Sequence, residues 1–340
     1  MSGTGTTAAI YGCLGTSLSA EEKAFFARTQ PWGFILFLRN CESPEQIGAL
    51  SASLRDCVGR DAPILIDQEG GRVQRLRPPH WPLYPAGRRY GDLYAMDREQ
   101  GLEAARLGAR LMAHDLKALG IDVDCLPVLD VPVPGAHDVI GNRAYGLTPE
   151  PVVALARAAA DGLLEGGVLP VAKHIPGHGR AGVDSHLHLP VVEASAGELR
   201  ATDFPPFRAL NDLPLAMTAH VVYTAFDAAA PATTSRKVVQ EIIRAEIGFG
   251  NCLMSDDLSM QALSGTLGER AGASLAAGCD LVLHCNGKME EMIEVSARVP
   301  VLSGEAAVRA NRALGARRAP GPLDVEAARA RFAELIPVIA

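Results

Sequence analysis

The chain has 340 residues, a formal net charge of −7 and 48 % hydrophobic residues. That length exceeds one small core and fits one large α/β barrel with insertions, and the hydrophobic share is enough to fill it. The mild acidity speaks against a nucleic-acid binder, which would present a basic face, and no stretch reaches the ~18 consecutive apolar residues of a membrane span.

Residues 1–15 carry no Lys or Arg, so the charged start of a secretory leader is missing. The seven cysteines are odd in number and form no C-x-x-C pair. This fits reduced thiols in the cytoplasm better than a disulfide framework. Cys13, Cys57, Cys125 and Cys279 are expected to be small buried apolar residues.

Along the chain, short apolar runs alternate with longer helical patterns. Strands are predicted at Ala8–Leu14, Phe34–Phe37, Pro63–Ile66, Ile121–Leu126, Val168–Ala172, Leu215–Thr218, Cys252–Met254 and Leu281–Leu283. Apolar character on both faces suits parallel strands covered by helices. Ser19 followed by Glu22 reads as a capping box, and so does Ser43 with Pro44 at the first helical position and Gln46 after it. Asp97 to Leu119 is a long amphipathic pattern closed by Gly120; Pro149 to Glu165 is another, closed by Gly166 and Gly167. Eight strands alternating with helices give the count of a closed (β/α)₈ barrel of the TIM type, a single domain over residues 1–340. Two or three further helices, from about 288, are expected to pack on it. An open doubly wound sheet is the rival, but no G-x-G-x-x-G follows the first strand.

Strand after strand ends in polar residues. Ile66 leads into Asp67 and Glu69, the fourth strand runs on to Asp130, and the fifth ends in Lys173 and His174. His220, Asp256 with Asp257, and His284 follow the last three. One such residue alone is as well explained by a loop bond or a helix cap, and Asp256 could cap a helix beginning near Ser259. In a barrel, however, all these ends open on one face, where active sites are built.

The densest segment runs from Lys173 to Gly179 and on to Asp184, Ser185 and His186, with histidines at 174, 178, 186 and 188. Pro176 and the glycines make it a loop. A metal site is one reading, but the spacing matches no closed zinc pattern and Lys173 would place a cation beside the ion. Acid/base chemistry is the second, since a carboxylate two residues from His186 can fix the ring and stabilise the imidazolium. The plainest reading is that the histidines only hold the loop together. Asp256, at a strand end, could form a covalent glycosyl ester, and alternation over so short a strand leaves Asp257 an equal claim.

Taken together, Asp67 to Arg75, Leu126 to Val131, Gly141-Asn142-Arg143, the Lys173–Gly179 segment with Asp184-Ser185-His186, Ala219-His220-Val221 and Ser255 to Met260 resemble glycoside hydrolase family 3. The likeness is to its single-domain β-N-acetylhexosaminidases of peptidoglycan recycling and spans about Gly33 to Asn286. It implies that Asp256 is the nucleophile and that His186, paired with Asp184, is the acid and then the base. It implies further that Asp67, Arg75, Arg143, Lys173 and His174 hold the sugar. No cofactor or metal is implied. The expected substrate is a muropeptide or other N-acetylglucosaminide, with no nucleic acid or membrane partner and a monomeric chain. Ile175 stands where an aromatic is usual and Ala144 where a small hydroxyl residue is common, which bears on fine substrate preference. Aromatics make up only 5 % of the chain, and their scarcity suits a pocket for one terminal sugar over a stacked polysaccharide groove. A glycoside phosphorylase, a metal-dependent hydrolase and a non-catalytic sugar-binding barrel are the competing functions.

Overall fold

The computed structural model describes residues 5–337. Eight strands carry the architecture: β1 (Thr7–Gly12), β2 (Pro31–Leu36), β3 (Ile64–Ile66), β4 (Val123–Asp124), β5 (Leu169–Ile175), β6 (Leu215–Thr218), β7 (Cys252–Asp257) and β8 (Leu281–His284). Each pairs in parallel with the next in sequence, and β8 returns to β1 with Ile10 opposite Leu283, closing the barrel. All eight predicted strands are present. The fourth is shorter than the expected Ile121–Leu126, although Cys125 N still donates to Ile66 O at 2.8 Å.

Alternation along the strands divides two cores. Ile10, Leu65, Val171, Met217, Met254 and Leu283 fill the barrel. Their neighbours Tyr11, Phe34, Ile66, Ala172, Ala216 and Val282 face outward into a second cluster, shared with the helices. Ser19 caps the helix Ala20–Thr29 in a complete box with Glu22. Ser43 caps Pro44–Val58, but the box there is incomplete: the Gln46 side chain accepts from Glu42 N and donates to Asn40 O. Arg98–Lys117, capped by Asp97, and Pro149–Glu165 follow the predicted patterns.

Beyond Gly287 come three helices, Met289–Ser296, Gly304–Gly315 and Val325–Leu335. Ala310 and Ala313 of the second join the barrel interior. Arg309 from the same helix reaches Asp280, immediately before β8, at 2.8 Å. This helix therefore covers the N-terminal end of the barrel and leaves the C-terminal end open. The cysteines are free; Cys13, Cys125 and Cys279 are buried as expected, whereas Cys57 is only half-buried on its helix. Among the described residues no helix is long and apolar enough to cross a membrane.

Candidate active site

At the C-terminal ends of the strands lies a cavity of about 220 Å³, and all of the predicted site residues except Asp184 line it. Its first wall is the segment after β3. Gln68–Gly70 pairs with Val73–Gln74 in a tight antiparallel ribbon. Gly70 and Gly71 turn it with φ of +90° and +57°, and a Cβ on Gly70 would fall 2.2 Å from Pro85 O, so the turn needs glycine. The Gln68 side chain accepts from Arg75 N and Leu76 N, both at 3.0 Å. The ribbon thereby returns Arg75 to Asp67, which it bonds at 2.7 Å.

Lys173, on β5, is 2 % exposed and stands 3.1 Å from Asp67 and 2.6 Å from Glu69. Arg143 closes the group with two 2.8 Å bonds to Glu69. Two carboxylates thus face three cations. Burial would raise Asp67, but Lys173 and Arg75 outweigh it and hold the carboxyl well below the usual range. Burial likewise opposes, and Arg143 and Lys173 overcome it, at Glu69, which falls to about 2. Glu69, which the sequence marks only as part of the motif after β3, holds Arg143 and Lys173 in place. Its signal was its position two residues after Asp67, on the same face of an extended segment.

Lys173, His174 and Ile175 belong to β5 and not to a loop. Pairing continues to Ile175, opposite Thr218, and the chain leaves the sheet only at Pro176. His174 is consequently fixed on the barrel rim. Its Nδ1 lies 2.7 Å from Asp130 Oδ2, and Asp130, fully buried, also accepts from His174 N and His178 N. Burial disfavours the Asp130 anion, yet the two histidines keep it below the ordinary range.

No helix begins near Ser259; the next one, Leu267–Ala277, is capped by Thr266. Asp256 therefore caps nothing. Its Oδ1 accepts from Asp257 N at 2.8 Å. Burial raises its carboxyl, but His174 and His220 nearby pull it below the normal value. Asp257 is differently placed. It accepts from Ser259 N, Ser259 Oγ and Cys285 N at 3.1, 2.6 and 3.1 Å. His220 sits beneath, fully buried, bonded to Thr233 Oγ1 and Asp257 O.

The Asp184–His186 pair lies at the cavity rim. Asp184 Oδ1 is 2.8 Å from His186 Nδ1 and 2.9 Å from His186 N. The His186 side chain is 63 % exposed. An Nδ1–H donated to the carboxylate leaves Nε2 able to exchange a proton. His188 does not line the cavity. Among the described residues no three His, Cys, Asp or Glu side chains are grouped to hold a metal ion.

A carboxylate with unfilled lone pairs and a carboxylate-bound histidine at the rim can perform acid/base and nucleophilic chemistry on a barrel face. A model of the glycosyl hydrolase family 3 N-terminal domain covers residues 11–312. The chain belongs to glycoside hydrolase family 3. A protein of Alkalilimnicola ehrlichii named β-hexosaminidase is 42 % identical over 281 residues, 82 % of this chain and 80 % of that one. A β-hexosaminidase of Idiomarina loihiensis is 38 % identical over 304 residues, 88 % and 90 % of the two chains. Among solved structures, NagZ from Neisseria gonorrhoeae in complex with N-trifluoroacetyl-D-glucosamine superposes with a TM-score of 0.88 at 34 % identity, covering 97 % of this chain and 98 % of that one. This family 3 hydrolase is thus an enzyme of the β-hexosaminidase type.

Proposed function

We propose that the enzyme is a retaining exo-β-N-acetylglucosaminidase that removes terminal N-acetylglucosamine from 1,6-anhydro-muramoyl muropeptides in cytoplasmic cell-wall recycling. One observation carries the reading. Of the acids at the mouth of the barrel, Asp67, Glu69 and Asp130 are each matched by bonded cations or histidine, whereas Asp256 keeps only a backbone donor. An ionised carboxylate with lone pairs to spare, at the floor of a small pocket, is placed to attack an anomeric carbon. At about 220 Å³ the cavity lies below the ~300–1,000 Å³ usual for drug-sized ligands, which suits one sugar ring. The ligand in the gonococcal NagZ structure, N-trifluoroacetyl-D-glucosamine, supports a pocket that accepts a 2-acylamino sugar.

In this mechanism Asp256 forms a bond to C1 while His186 Nε2–H protonates the departing glycosidic oxygen, giving a covalent glycosyl ester. His186, now neutral, takes a proton from water as the water oxygen attacks C1, and the Asp256 carboxylate leaves. Asp184 holds the imidazole by its Nδ1–H and receives no proton. Asp67, Arg75, Arg143, Lys173 and His174 bind the hydroxyls and acetamide by charge-assisted hydrogen bonds.

The test compares aryl β-glycosides of N-acetylglucosamine and glucose. Each hydrogen bond lost to a polar site costs ~1–3 kcal/mol, roughly ten- to a hundredfold, so the N-acetylglucosaminide is expected to be hydrolysed far faster. Equal rates would make the protein a general β-glucosidase.

A further inference from the structure

The loop that carries His186 is fastened at its neck by groups the reaction does not use. Asp130 Oδ1 accepts His178 N at 2.6 Å, anchoring the near end of the loop to the same carboxylate that orients His174. The His178 ring is 2 % exposed, and its Nε2 lies 2.9 Å from the hydroxyl of Ser185, which is equally buried. That contact spans a sequence separation of 7 and closes the loop on itself. Burial, with the charge of His174, lowers His178 to about 4, so near neutrality its ring is uncharged and can share one proton-bearing bond with the serine. Behind it, Gly179 packs so closely that a Cβ would fall 2.1 Å from Val131 O. On the far side, the carbonyls of Ser185 and His186 accept from Ala262 N and Gln261 N, both at 3.3 Å. His186 itself projects into solvent at the rim. The neck is buried while the working end is not, so the neck sets where the end can go.

We infer that His178 and Ser185 are positioning residues: their hydrogen bond fixes His186 Nε2 over the leaving oxygen and so governs the proton-transfer step. The inference rests on His186 being the acid/base. A general acid must stand within ~2.6–3.2 Å of its target, and a misplacement of about 1 Å costs roughly a hundredfold in rate. Three features of the site favour this role over a simple packing one. Ser185 of the bonded pair is adjacent in sequence to the acid. It shares Asp130 with His174, beside Asp256. The glycines at 179 and 182 leave the intervening chain little stiffness of its own.

The experiment measures kcat/KM for a natural N-acetylglucosaminyl disaccharide and for dinitrophenyl N-acetylglucosaminide, whose phenolate departs without a proton. Ser185→Ala is expected to lower the disaccharide value roughly ten- to a hundredfold and to leave the aryl value nearly unchanged. Ser185→Thr, which keeps the hydroxyl, should restore most of the loss. Ser185→Cys, close in size but a weak hydrogen-bonding group, should repeat the Ala pattern, with thermal melting recorded for each. His186→Ala is the control and should show the same split more deeply. If His186→Ala splits the substrates and Ser185→Ala depresses both equally, or neither, the positioning role is overturned and the acid assignment stands. If His186→Ala itself shows no split, the acid assignment fails and the inference falls with it.

Discussion

The two ends of the barrel use the same residue types to opposite purpose. At the N-terminal end, Asp280 accepts Leu253 N at 2.9 Å and lies within 2.9 Å of both Arg244 and Arg309. Asp122 accepts Ile64 N at 2.8 Å, with Arg317 at 3.0 Å. Each ties adjacent strands to the surrounding or terminal segments, and each is almost fully buried. At the C-terminal end Asp256 also follows buried strand residues, but it receives one backbone hydrogen bond and faces a cavity. A buried carboxylate whose lone pairs are filled by guanidinium groups contributes to cohesion. One left partly unfilled is costly to the fold and available to a substrate.

The comparison is tested most severely at Asp256. Asp256→Ala is expected to cut turnover by several orders of magnitude while leaving thermal stability unchanged or higher, and a mechanism-based fluoro-sugar should label the peptide containing Asp256. A label on Asp257, or inverted anomeric configuration in the product, would break the proposed division of labour. Asp280→Asn at the opposite end should do the reverse. It leaves Arg244 and Arg309 without their shared anion, and removing one partner of a buried ion pair costs about 3–5 kcal/mol. The variant should unfold at lower denaturant with kcat/KM per folded molecule intact; a matching loss of activity would mean that the two ends are mechanically coupled.

The smallest effect concerns acid. Burial lowers His178 in the folded chain from the ordinary imidazole value of 6.5 to about 4. Between those values the unfolded chain holds more protons than the native one, so stability is present above about 6.5 and declines as pH falls toward 4. The decline due to this residue is about 3 kcal/mol at most. The groups facing it are His174, Asp130 and Asp256, and Ser185. His178→Gln should flatten that part of the stability–pH curve, and a curve of unchanged slope would show that His178 is not held neutral by the fold.

Much of this architecture is legible in the residues. Eight apolar runs marked eight strands because a parallel strand buried on both faces has no room for polar side chains. Ser19–Glu22 shows how far local rules reach: a cap is decided within one turn. The strand ends were readable as one functional face because a closed barrel gives them no other place to point. Where the reading departed, longer-range contacts were responsible. Pro176 and the neighbouring glycines suggested a loop from Lys173, but ladder pairing with β6 continues, past an irregularity after Lys173, to Ile175, and Lys173 also bridges Val128 on the other side. Ser43 and Gln46 had the residues of a capping box, but Asn40 and Glu42 claimed the glutamine side chain first.

The sequence by itself determined the alternation of strands and helices, the barrel and the set of polar groups at its mouth, since periodicity and strand order depend on neighbours a few residues apart. Only the tertiary structure decided which groups are bound and which are free. Glu69 became the partner of Lys173 across a sequence gap no local rule spans. Asp257 was filled by Ser259 and by Cys285, just past the next strand, leaving Asp256 open. His178 was joined to Ser185, and Asp130 to both His174 and His178. These outcomes turn on distances of about 3 Å between individual polar groups, and hydrogen-bond energy falls away so steeply with distance and angle that composition and spacing alone do not fix it.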